Sequence, residues 1–188
     1  MKFSLRAILC ASVLSLCVAA TSAQTAPGAA PPAKPAVKTL SPAQQGALRA
    51  KAAAAFEVVT HAADTCPLRA DQPMFEWRAC LAGAVTTADA NYKTYLRAVR
   101  TLLLTPKPEE VGDSGMQRWY ADNTRDFDAA SRAWSAYYSA QCKSETSTVE
   151  PGSGMAETQS NCQLALLKDR VQRMSNVYGQ MVGLTAAK

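Results

Sequence analysis

Leu81, Val85, Ala88, Tyr92, Tyr95, Val99 and Leu102 advance by alternating steps of four and three, in a segment running from Pro73 to Thr105 with no proline between. Such a stripe keeps one side of a helix against a partner for its whole length, and no strand can satisfy it. The pattern recurs twice. Met116, Tyr120, Asn123, Phe127, Ala130, Trp134, Tyr137 and Gln141 carry it through a helix over 116–141, and Leu164, Leu167, Val171, Met174, Tyr178 and Met181 carry it through the last helix. A shorter helix precedes them. Ser41-Pro42-Ala43-Gln44 reads as a capping box with a helix-start proline. Leu48, Ala52, Ala55, Val59 and Ala62 then form a mostly alanine face that allows close approach but buries little area. The expected fold is all-α: an antiparallel bundle of three long helices plus this N-terminal Ala-rich helix, with crossing angles of about 20°. No segment alternates with a period of two.

The chain ends bound its compartment. Lys2 and Arg6 precede an apolar run, Ile8 to Val18, and Thr21-Ser22-Ala23 supplies small residues for cleavage, so 1–23 reads as a signal peptide. The run is short for a membrane span. Leu16 is too bulky for lipid attachment at Cys17, which argues against an anchor there. Residues 24–40 are rich in Ala and Pro and read as a disordered tether, able to reach roughly 50 Å if extended. A single helical domain is expected over 41–182, followed by a short tail, 183–188. With no second long apolar run, the mature chain is expected to be soluble, and periplasmic or secreted. Losing Lys2 and Arg6 lowers the formal net charge of +5 by two. That mild balance and the lack of a basic arm exclude a nucleic-acid partner.

Cys66, Cys80, Cys142 and Cys162 remain after cleavage, an even set that implies two disulfides in an oxidising compartment. Three pairings are open. Joining neighbours, Cys66 to Cys80 and Cys142 to Cys162, would fix one helix–loop–helix corner each. No two of these cysteines have the close spacing of a zinc knuckle and His61 stands apart from them, so no metal or cofactor is expected.

Catalytic chemistry finds no foothold. His61 is the sole histidine, on the alanine-rich helix, and reads as structural. There is no Gly-x-Ser-x-Gly elbow, and Glu109-Glu110 is a loop dipeptide, not two carboxylates held across a cleft. The chain reads as a non-enzyme. Two features point to binding. Lys93, Arg97 and Arg100 lie on one face of the second helix, a strip that could attract an anionic cell-wall polymer. The loops over 105–115 and 143–154 could enter a partner's cleft. Among the aromatics, Phe127, Trp134, Tyr137 and Tyr92 share the stripes and are expected in the core, whereas Tyr138, one step off, is expected outside.

Cys66, Cys80, Ala88-Asp89, Trp134, Tyr137, Ala140, Cys142, Cys162 and Arg170, in that order, resemble the N-terminal domain of the LprI-like lysozyme-inhibitor family over about residues 62–182. Ser131, Tyr138, Ser139, Lys93 and Leu96 depart from the family pattern. The resemblance implies a small exported four-cysteine helical domain whose protein partner is lysozyme. A structural or adaptor module of the cell envelope is the alternative. Asp89 and Arg170 flank core positions on neighbouring helices and are expected either to form an interhelical ion pair or to stay separately solvated.

Overall fold

The computed structural model describes residues 38–151 and 154–184. The expected signal peptide over 1–23 and residues 24–37 of the expected tether, together with residues 152–153 and 185–188, lie outside the described residues. Four helices follow one another: α1 (Pro42–Thr60), α2 (Met74–Leu104), α3 (Ser114–Ser147) and α4 (Met155–Val182). Among the described residues there is no strand, so the all-α bundle is observed.

Each helix starts and stops for a local reason. Ser41 caps α1 as anticipated: its hydroxyl accepts from the Gln44 backbone N–H and the Gln44 side chain accepts from the Ser41 N–H. Asp113 caps α3 by accepting from the N–H groups of Gly115 and Met116. Gly183, at φ 70°, ends α4 in the left-handed conformation that glycine adopts without strain. Arg49 of α1 donates to the Val182 carbonyl over 2.7 Å, so a side chain from α1 satisfies the open end of α4.

α3 runs well past Gln141, and Cys142 sits inside it. The segment after Cys142 is polar and reads as a turn, yet its hydroxyls bond back onto helical carbonyls. Thr146 donates to Cys142 and Ser147 to Ser144. Bonds of this kind satisfy the hydroxyl on a carbonyl of the preceding turn.

The core is carried by α1, α2 and α4. Ala52, Ala55, Val59 and Ala62 meet Leu81, Ala84, Ala88, Tyr92, Tyr95, Ala98 and Val99 from α2 and Leu164, Leu167, Val171 and Met174 from α4. The alanine face of α1 buries little area per residue. By letting two backbones close in, it makes α1 the tightest neighbour of α2. α3 packs mainly along α4 and touches α2 sparsely. It buries only Phe127, Cys142 and Thr146.

Both disulfides lie at the same end of the bundle, Cys66 to Cys80 and Cys142 to Cys162. Neighbour pairing is therefore the one formed. At that end Arg78 of α2 also pairs with Glu157 in the first turn of α4. Glu157 is nearly buried, and its Oε2 has no hydrogen-bond partner. Its carboxyl is held below the ordinary 4.5, first by the backbone N–H at the helix start and then by the Arg78 guanidinium. A carboxylate lowered in the folded state stabilises fully above its unfolded value, and that contribution is lost as pH falls through the folded value. Glu157→Gln should therefore melt below wild type at pH 7, with the gap closing in melting scans taken below pH 4.5. A gap independent of pH would contradict the linkage.

Candidate functional site

Two residues of the family pattern, Trp134 and Arg170, meet Tyr92 and Tyr138 between the helices. Tyr92 is buried, and its ring lies 4.7 Å from that of Trp134 at a tilt of 44°. Trp134 stacks on Tyr138 at 5.1 Å, and the Arg170 guanidinium sits 5.7 Å from the Trp134 ring centroid. A cation over an indole face is favourable, more so when partly desolvated. Burial raises the Tyr92 hydroxyl above its ordinary value, and the Arg170 charge beside it opposes that rise. Burial, followed by the Asp89 charge, pushes the Tyr138 hydroxyl up to about 12. These tyrosines stay neutral at any physiological pH. The arrangement packs and holds helices; it presents no nucleophile and no acid–base pair.

Two expectations about this cluster need correction. Tyr137 is 51% exposed, and Tyr138 takes the inward place. The reason is helical pitch. An unbent α-helix turns about 100° per residue, so Tyr138 comes round to about 20° from the direction of Phe127, whereas Tyr137 is about 80° away. The strict heptad stripe drifts off the contact seam over a helix this long. On α4 the same drift leaves Met181 exposed and buries Val182.

The second correction concerns Asp89 and Arg170, which do not form the ion pair. Asp89 bonds Lys93 on its own helix at 2.6 Å, and Arg170 turns onto Trp134, with its Nε buried and unpartnered. An aromatic face within reach of the guanidinium outcompetes a carboxylate that has a lysine one turn away.

The basic strip is also not what its spacing suggested. Lys93 is neutralised by Asp89. Arg100 makes a two-bond contact to Asp128 of α3, at 2.7 and 2.8 Å, which holds the Asp128 carboxyl below its usual range. Arg97 remains on the surface, bonded to the Lys93 carbonyl. Two of the three cations are paired with carboxylates of this chain, so no continuous unpaired basic track faces a polymer. His61 is exposed between Glu57 and Asp64, at 3.5 and 3.1 Å. Among the described residues no cluster of His, Cys, Asp and Glu could hold a metal ion.

Of the two loops, the α2–α3 connection is organised around Glu110. Its carboxylate accepts from the Tyr120 hydroxyl at 2.6 Å and from the Lys107 N–H at 2.9 Å, with the Lys107 ammonium 3.7 Å away. The Tyr120 bond, then the Lys107 N–H, keep the Glu110 carboxyl low, and burial with Glu110 pushes Tyr120 up to about 12. Beside it lies an open cleft of about 260 Å³ lined by Leu40, Arg49, Leu103, Trp119 and Met181 among others.

A model of the lysozyme inhibitor LprI family matches residues 67–174, more than half of the chain. The chain belongs to the LprI lysozyme-inhibitor family. The match takes in α2, α3 and most of α4, with three of the four bridging cysteines; Cys66 stands one residue before it. No curated protein and no solved structure matches the chain. Of the positions shared with the family pattern, Trp134 and Arg170 pack within the scaffold, whereas Tyr137 is exposed. Among the described residues no helix is long and apolar enough to cross a membrane.

Proposed function

We propose that this protein is an exported, non-catalytic inhibitor that acts on lysozyme by protein–protein contact. The observation that carries this reading is the family match over α2, α3 and most of α4. The remaining features agree with it. Two disulfides suit an oxidising compartment outside the cytoplasm, and the N-terminal Lys2, Arg6 and apolar run would direct the chain there, with 24–40 as tether. The middle of the bundle is filled with neutral tyrosines and a tryptophan, which leaves surface contact as the mode of action. No cofactor is required.

Secreted, oxidised protein titrated into a lysozyme turbidity assay tests the reading. Clearing of a cell-wall suspension should slow with dose and saturate near one inhibitor per enzyme. Unaltered clearing at a large molar excess would overturn it.

A further inference from the structure

We propose that the disulfide-stapled corner between α1 and α2, residues 64–76, is the surface that docks on a cationic lysozyme. Leu68, Met74 and Phe75 are its apolar contacts, and Asp64, Asp71 and Glu76 its steering charges. This inference rests on the inhibitor reading above and assigns it a place on the molecule.

The corner carries the densest exposed apolar group among the described residues. Phe75 is 70% exposed, Leu68 60% and Met74 46%, all within eight positions. Single exposed apolar side chains are ordinary, but three large ones within one short loop and the helix turn it leads into mark a contact surface. Nothing about the fold requires them there, because other groups already hold the corner. Cys66 is bridged to Cys80, the Trp77 indole donates to the Cys66 carbonyl at 3.0 Å, and the Gln72 N–H closes a turn onto Arg69. Pro67 and Pro73 restrict the backbone between these ties. A surface fixed before contact loses little conformational freedom on binding, which is how a small loop gains affinity.

Charge decides the kind of partner. The chain as a whole is positive, and lysozymes of the animal type are cationic, so net charge alone opposes their encounter. The corner reverses that locally. Within 64–76, Asp64, Asp71 and Glu76 outnumber Arg69, Asp64 also bonds His61, Glu57 lies one turn back on α1, and Arg78 is drawn off by Glu157. Lys93, Arg97 and Arg100 lie farther along α2, toward the opposite end of the bundle. An exposed apolar group with a local acidic excess suits a cationic partner. The α2–α3 loop is the weaker rival. Glu110 is spent on Tyr120 and Lys107, and the exposed apolar group in that loop is Val111, at 43%.

The test measures binding to a purified cationic animal-type lysozyme by calorimetry, alongside the turbidity assay. The variants are Leu68→Ala with Phe75→Ala, Asp71→Lys with Glu76→Lys, and Val111→Ala at the far end. All five positions are exposed, so helicity should match wild type, and melting should too except for a small loss in the charge reversal, where Glu76 lies in the first turn of α2. The apolar pair should weaken binding at least about tenfold, as loss of central aromatic contacts does. The charge reversal should slow association and remove its dependence on salt, while Val111→Ala binds normally. Wild-type binding that neither corner variant alters, or that Val111→Ala alone weakens, overturns the corner and leaves the inhibitor reading standing. A wild-type chain that neither binds nor inhibits the enzyme overturns both.

Discussion

Replacing Cys142 and Cys162 together by alanine is expected to cost about 3 kcal/mol of folding stability, the loop-closure value for a bridge of this span. The two cysteines are 20 positions apart in sequence and enclose the whole α3–α4 connection. Both are buried, so alanine leaves no unpaired polar group behind. Their position makes the bridge matter more than its entropy alone. α3 contributes Phe127 as its one large buried side chain, and its further ties include the partly buried Trp134 and Tyr138, the Phe127–Tyr178 ring contact, the Tyr120–Glu110 and Arg100–Asp128 bonds and this disulfide. Losing the bridge should therefore loosen α3 before the rest. Urea unfolding should show the drop in stability, and amide exchange should speed up first in α3, ahead of α2 and α4. With domain stabilities of about 5–15 kcal/mol, such a loss is a large fraction of the total. A change under about 1 kcal/mol, or exchange rising evenly in all helices, would refute the claim that α3 is held chiefly by its staple.

Leu167→Ala should be comparably damaging, at about 3 kcal/mol within the 2–5 kcal/mol range of buried leucine truncations. Leu167 is fully buried on α4, the helix that packs against all three others. The cost depends on how far the surroundings can collapse into the void. Here much of the core is alanine: Ala52 and Ala55 from α1, Ala62 just past its end, and Ala84, Ala88 and Ala98 from α2. An alanine has no rotamer to swing inward, so only backbone movement could refill the space, and the closeness of α1 to α2 resists that movement. Denaturant midpoints should fall with an unchanged slope. A loss below about 1 kcal/mol would mean the core repacks with ease and that the alanine contacts are looser than they look.

Much of the architecture was legible because helices announce themselves through local rules. The cap at Ser41, the proline before Met74 and the run of apolar residues at steps of four and three act within one or two turns. They placed α2 to within a residue at either end. The far end of α3 was not legible. Its serines and threonines suit a turn as well as a helix, and only the bonds they make to carbonyls, beside a buried disulfide, settle which. Tyr137 and Tyr138 were exchanged for a related reason. A stripe read in heptads assumes the helix supercoils to stay in register, whereas α3 lies against α4 with its own pitch. The binding corner was overlooked because exposure has no periodic signal. Leu68, Met74 and Phe75 look like any apolar residues of a loop until the fold shows that nothing covers them.

The amino-acid sequence by itself determined that this chain is helical, that Cys66, Cys80, Cys142 and Cys162 make two staples, and that it shares the pattern of the LprI family. Each of these depends on residue type and spacing along the chain. Tertiary structure alone decided which charges are spent and which remain. Arg100 went to Asp128, Arg78 to Glu157, and Arg170 to the face of Trp134. Side-chain partners are chosen by distance and burial across helices, and neither quantity is written in a linear order of residues.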